Sequence, residues 1–128
     1  MIRKCCGYLA KHPVLRKLVV STPVVRDLAW RYIAGENIDA GLAAVRSLNA
    51  RGIKGTLNFV GTHVRSESDA IAAADAAIQA LQRIHEDGVD SHLSIKPTQI
   101  GLDIAREFCR VQLKRVLEVA SQFDNFVE

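Results

Sequence analysis

The sequence predicts an α/β protein with parallel strands, and three observations carry that prediction. Short segments in which apolar and polar residues alternate begin near residues 53, 91 and 126, about 35–38 residues apart. Between them lie stretches with apolar residues at helical spacing, each long enough for a full helix. Finally, 128 residues with 48% apolar side chains suit one packed domain rather than a disordered chain. A strand-plus-helix unit recurring at this period builds a parallel sheet with right-handed crossovers and the helices on one side.

The elements follow in chain order. Val14, Leu15, Leu18 and Val19 recur at helical spacing beside Arg16 and Lys17, between Pro13 and Pro23. Ser21 and Thr22 then cap a helix through Val24, Val25, Leu28, Trp30 and Ile33, which Gly35 ends. Asp39 opens another, marked by Leu42, Val45, Leu48 and Asn49 and stopped by Gly52. Over 53–60, Ile53, Leu57 and Phe59 alternate with Lys54, Thr56 and Asn58, the pattern of a strand with one apolar and one polar face. Gly61 breaks it. Ser66, with Asp69 three residues on, forms a capping box with Asp in place of Glu. The helix it starts runs to about residue 86 on a stripe of Ile71, Ala74, Ile78, Leu81 and Ile84, until Asp87-Gly88.

Residues 91–96 repeat the strand pattern, with Leu93 and Ile95 on one face and His92, Ser94 and Lys96 on the other. Pro97 biases Lys96 toward an extended conformation and ends the strand there, so Lys96 stands at its C-terminal end. After a turn over 98–101, Ile104, Phe108, Val111, Leu113 and Leu117 mark a helix to about residue 123, and residues 125–128 open a third strand.

Composition excludes several function classes. No stretch approaches the ~18–20 apolar residues of a membrane-spanning helix. Three cysteines, two of them adjacent (Cys5, Cys6 and Cys109), make no disulfide framework and fit a reducing cytoplasm. No CxxC spacing occurs, and His12, His63, His85 and His92 form no i,i+4 pair, so no metal site is expected. The first 33 residues hold seven Lys/Arg against one acid, and the remainder ten against thirteen. This basic head reads as an amphipathic helix packed on the body. The alternative is a binding or assembly arm for nucleic acid or an anionic membrane, or a transit peptide. Tyr8, Trp30 and Tyr32 do not interleave regularly with the basic residues, so nucleic acid is not the expected partner.

Parallel strands covered on both faces are almost wholly apolar. Here Thr56, Asn58, His92, Ser94 and Lys96 share one face, which is therefore solvated or lines a ligand-holding interior. In α/β folds functional groups gather at the C-terminal ends of the strands, where Asn58 and Lys96 lie. The remaining candidates take plainer roles. His63 and His92 read as structural or surface residues, Cys109 as a small core residue, Trp30 as helix packing, and Asp103 with Glu107 as a solvated helix start. No GxGxxG or phosphate-binding loop motif is present.

The stretch RYIAGENIDAGLAAVRSLNARGIKGTLNFVG over 31–61, and SHLSIKPTQIGLDIAREFC over 91–109, resemble the bacterial monofunctional proline dehydrogenases. The resemblance covers about residues 24–128 and rests on the ordered series AGE, LNARG, SIK-x-TQ-GLD and NFV. It implies N-terminal helices (1–52) followed by the first two β/α units and the start of strand 3 (53–128) of a (β/α)8, TIM-like barrel. Such a barrel takes roughly 250 residues, so the chain is expected to be an incomplete, N-terminal portion. The resemblance further implies FAD as cofactor and oxidation of L-proline to 1-pyrroline-5-carboxylate. Electrons would pass to quinone or another acceptor, in the cytoplasm or peripherally on the inner membrane.

Lys96 matches the family lysine that helps hold the substrate carboxylate. The chain departs from the family pattern at Asn58, where an acid is usual, at Thr62, where glutamate is usual, and at Pro97, where leucine is usual. The catalytic and flavin-contacting residues of the family belong to later strands and a C-terminal helix, so none is assigned here. The chain alone is expected to turn over no proline, and its uncovered sheet edges to leave it marginal in stability or prone to associate.

Overall fold

In a computed structural model, the described residues are 34–35, 37–60 and 64–128. The predicted helices before residue 34, and Cys5, Cys6, His12, Trp30, Thr62 and His63, lie outside them. The unit Asn37–Glu128 runs α1 (Ile38–Asn49), β1 (Gly55–Asn58), α2 (Glu67–Glu86), β2 (Ser91–Ser94), a 3-10 turn (Pro97–Ile100) and α3 (Arg106–Gln122).

The helix starts follow local chemistry. Asn37 caps α1, its side-chain oxygen accepting from the Ala40 N–H at 2.9 Å, and Asp39 sits in the first turn where a negative charge is favoured. Leu42 and Val45 are buried, as the periodicity requires. Ser66 caps α2 by accepting from the Asp69 N–H at 3.2 Å.

The buried face of α2 differs from the predicted stripe. Ala70, Ala74, Ala77 and Ala80 are buried with Leu81 and Ile84, whereas Ile71 is 39% exposed and Ile78 half-buried. Alanines at i, i+3 and i+4 let the helix axis come close to its neighbours, and the core takes the side that allows this approach. The stripe on α3 is also displaced. Its buried residues are Cys109, Gln112, Val116 and Ala120, while Ile104 lies ahead of the helix and Val111 and Leu117 are 48% and 44% exposed. The buried Gln112 accepts from Arg115 at 2.7 Å, and Arg115 donates to Asp75 of α2 at 2.6 Å, so the polar group is satisfied.

The sheet is parallel, with Gly55, Thr56, Leu57 and Asn58 opposite Ser91, His92, Leu93 and Ser94. Residues 125–128 extend it on the far side of β2. Val127 bridges Leu93 in parallel, Leu93 N donates to Phe126 O at 3.2 Å, and Ile95 N donates to Glu128 O at 2.9 Å. β2 is thus central, and the strand expected at the C-terminal end is present as a short pairing.

Both named strands are shorter than the alternation predicts. Asn49 gives the reason at one end. Its Nδ2 donates to the carbonyls of Ile53 and Asp90, both at 3.0 Å, and its Oδ1 accepts from Asp90 N at 2.8 Å. These bonds occupy the backbone just before each strand, and Ile53, expected to face the helices, is 43% exposed.

Leu93 is fully buried against Ala74, Ala77, Leu81, Ile100 and Val116, with Leu57 and Ile95 packed at the margin. Burying such a side chain contributes about 1.5–3 kcal/mol. A second cluster of Leu42, Val45, Ile84 and Val89 joins α1 to the end of α2. Across it, Arg83 donates to Asp39 at 2.8 Å and Arg46 to Asp87 at 2.6 Å.

Candidate functional site

Because Leu57, Leu93 and Ile95 pack toward the helices, the period of two turns Thr56, Asn58, His92 and Ser94 to the other face. The register makes cross-strand partners of them. Thr56 Oγ1 lies 2.9 Å from His92 Nε2, and Asn58 Nδ2 donates to Ser94 Oγ at 3.5 Å. The His92 and Phe126 rings form a T-shaped pair at a centroid distance of 5.5 Å, so the row continues onto the third strand segment. His92 is held on two sides within this row.

Lys96 stands two residues beyond β2, extended (φ −103°, ψ 130°) as Pro97 demands, and exposed. Ion pairs elsewhere engage Arg46, Lys54, Arg83, Arg110, Lys114 and Arg115; among the described residues Lys96 has none. Asn58, at the corresponding end of β1, is neutral and carries no counter-charge for it. The structure therefore brings Lys96, Asn58 and Ser94 to one end of the sheet.

Gln99, within the SIK-x-TQ motif, organises this end. Its Oε1 accepts from Lys96 N at 3.1 Å, its Nε2 donates to Phe59 O at 2.8 Å, and its own N–H donates to Lys96 O at 2.8 Å. The only sign of this in sequence is an amide-bearing side chain one turn beyond a strand-ending proline. A groove of about 410 Å³ next to it is lined by Phe59, Val64, Asp69, Ala73, Ile95 and Gln99, and belongs to the helix-packed side.

The other candidates stay structural. Cys109 is buried, and burial pushes its thiol up from the ordinary range; its Sγ donates to Pro97 O at 3.5 Å. Glu107 accepts from the Arg110 guanidinium, which holds its carboxyl below the ordinary range, and Asp103 is exposed ahead of α3. Among the described residues no group of three or more His, Cys, Asp or Glu is arranged to hold a metal ion. No described helix is long and apolar enough to cross a membrane.

Polar groups at the C-terminal ends of parallel strands, with helices behind, define an α/β protein of the kind that binds its ligand at that end. No protein-family profile matches the chain. Curated relatives do. Over 124 residues the chain is 34% identical to Proline dehydrogenase 1 of Bacillus subtilis subsp. natto, a match covering 97% of the chain and 41% of the relative. Proline dehydrogenase 1 of Bacillus subtilis strain 168 is 33% identical over the same shares. The proline dehydrogenase of Deinococcus radiodurans is 25% identical over 130 residues, 99% of the chain and 41% of that protein. The chain is a homologue of the bacterial proline dehydrogenases and spans about two-fifths of their length.

Proposed function

We propose that the chain supplies the end of a flavin-dependent proline dehydrogenase site that holds the substrate carboxylate. In this reading β1, β2 and residues 125–128 are adjoining strands of a (β/α)8 barrel, and the row of Thr56, Asn58, His92 and Ser94 faces its interior. The observation that carries the reading is Lys96, exposed two residues beyond the C-terminal end of the central strand and without an ion-pair partner among the described residues. A carboxylate placed there receives a charge-assisted hydrogen bond from a compact, strongly charged donor.

In the complete site that the resemblance implies, FAD would supply the hydride acceptor for oxidation of the proline ring. At the strand ends the described residues offer one cation, Lys96, and no glycine-rich phosphate loop, so they do not by themselves fit the pyrophosphate of FAD. No step in this chain is therefore assigned through the flavin. For the same reason the 128-residue chain is proposed neither to retain flavin nor to oxidise proline alone. The electron acceptor is proposed to be a quinone or similar carrier, reached in the cytoplasm or at the inner membrane surface.

The test is a chimera in which this chain replaces the matched part of Proline dehydrogenase 1 from Bacillus subtilis. Proline-dependent dye reduction is expected. Lys96→Met should raise the KM for proline by about 10²-fold, the order of one charge-assisted hydrogen bond, with flavin content unchanged. An unaltered KM overturns the assignment of Lys96. Flavin absorbance together with proline-dependent dye reduction in the isolated chain overturns the view that it acts only as part of a larger site.

A further inference from the structure

We propose that Gln99 is a positioning residue that sets where Lys96 is presented. The register of the sheet shows how. In this ladder Gly55 N donates to Asp90 O at 3.0 Å, and Gly55 lies opposite Ser91. Carried forward along parallel strands, the same pattern puts the rung after Asn58 and Ser94 between Lys96 N and Phe59 O. The Gln99 carboxamide occupies that rung instead. Lys96 N donates to its Oε1 at 3.1 Å, and its Nε2 donates to Phe59 O at 2.8 Å.

A side-chain amide interposed between two backbones satisfies both groups while holding the strands an amide's width further apart than a direct rung would. The separation falls where Lys96 leaves the sheet. Pro97, which has no N–H, ends the ladder on the β2 side, and the half-buried Gln99 is returned to the strand ends by the 3-10 turn that follows. Lys96 is thereby pinned through its own N–H and C=O to one residue, and its side chain starts from a backbone with little freedom. The part of this role that concerns substrate rests on the proposed contact between Lys96 and a carboxylate.

The test uses the chimera with Proline dehydrogenase 1 described above, isotopically labelled, as the parent and as Gln99→Ala and Gln99→Glu. L-Proline is titrated while the Lys96 side-chain signals are followed. In Gln99→Ala the dissociation constant for L-proline should rise at least tenfold. Gln99→Glu is close in shape and still accepts from Lys96 N, but its carboxylate repels Phe59 O. Its Lys96 amide signal should follow the titration of the new carboxyl, and binding should recover as that group is protonated and can donate again. Among the described residues, the other charged groups beside this position are Lys96 itself and Asp69 of α2, which lines the same groove, so parent and variant are compared at each pH.

L-Proline affinity at Lys96 that is unchanged in both variants overturns the positioning role. A Lys96 amide signal in Gln99→Glu that is indifferent to pH overturns it as well, whether or not proline binds. A parent in which L-proline moves no Lys96 signal overturns the substrate reading alone, and the amide titration then decides the role of Gln99.

Discussion

Gly101→Ala is expected to be among the most damaging single-methyl changes in the described fold. Gly101 closes the 3-10 turn that carries Gln99, with φ +100° and ψ 18°, and is buried. Two costs add at this position. A residue with a Cβ in left-handed backbone costs about 1–2 kcal/mol. The added methyl would also lie 2.7 and 2.8 Å from Cδ1 and Cε1 of Phe108, and 3.4 Å from the Ala70 Cβ. Neither the ring nor the α2 backbone behind Ala70 is a flexible chain end, so relief requires a shift of packing worth about 1–3 kcal/mol. The sum is about 2–5 kcal/mol.

Gly52→Ala is the matched control. Gly52 has φ +74° with nothing within 4 Å of an added Cβ, so it carries the backbone cost alone. Both changes reduce the freedom of the unfolded chain similarly, and that contribution cancels in the comparison. Urea unfolding followed by far-ultraviolet circular dichroism, with a slope of about 1–3 kcal/mol/M, resolves a difference of this size. Equal losses for the two variants, within about 0.5 kcal/mol, would refute the packing argument around Phe108.

Two further expectations follow from the core and the surface. Leu93→Ala removes a fully buried side chain from the central strand and should cost about 2–5 kcal/mol by the same assay; an unmoved midpoint would show that the core is centred elsewhere. The Glu107 carboxyl, depressed by its hydrogen bonds from Arg110, favours the folded state above its unfolded pKa, and this contribution fades as pH falls through its folded pKa. Since Glu107 is solvent-exposed, the measurement is its own titration by NMR. Arg110→Gln should move the midpoint up toward the ordinary carboxylate range, and an unmoved midpoint would refute the pairing.

The elements were legible because they rest on local chemistry. Alternation placed both strands, Ser66 marked the start of α2, and the recurring unit foretold parallel pairing and a third strand over 125–128, which the structure joins to β2 through Val127 and Leu93. The faces of α2 and α3 were not. Ranking residues by hydrophobicity favours Ile71, Val111 and Leu117, whereas close packing favours Ala70, Ala77 and Cys109, whose advantage is small volume. Gln112 was also out of reach, because a buried polar residue depends on a partner, Arg115, and through it on Asp75 of another helix. At the candidate site, the placement of Lys96 by Pro97 was readable and Gln99's contact with Phe59 was not, since it joins residues 40 positions apart.

The two carboxamides have a consequence for how the sheet tolerates its surroundings. Asn49 brackets the strands where they begin, and Gln99 where they end. Neither side chain ionises, so these brackets hold without charge. Added salt does not screen them as it screens ion pairs such as Lys54–Asp90, and no proton is gained or lost across the range in which carboxylates and imidazoles titrate. A slip of one strand against the other would break the bonds of both amides together and also turn the apolar row outward. Strand alignment in this protein is therefore guarded at both ends by groups indifferent to ionic strength and pH.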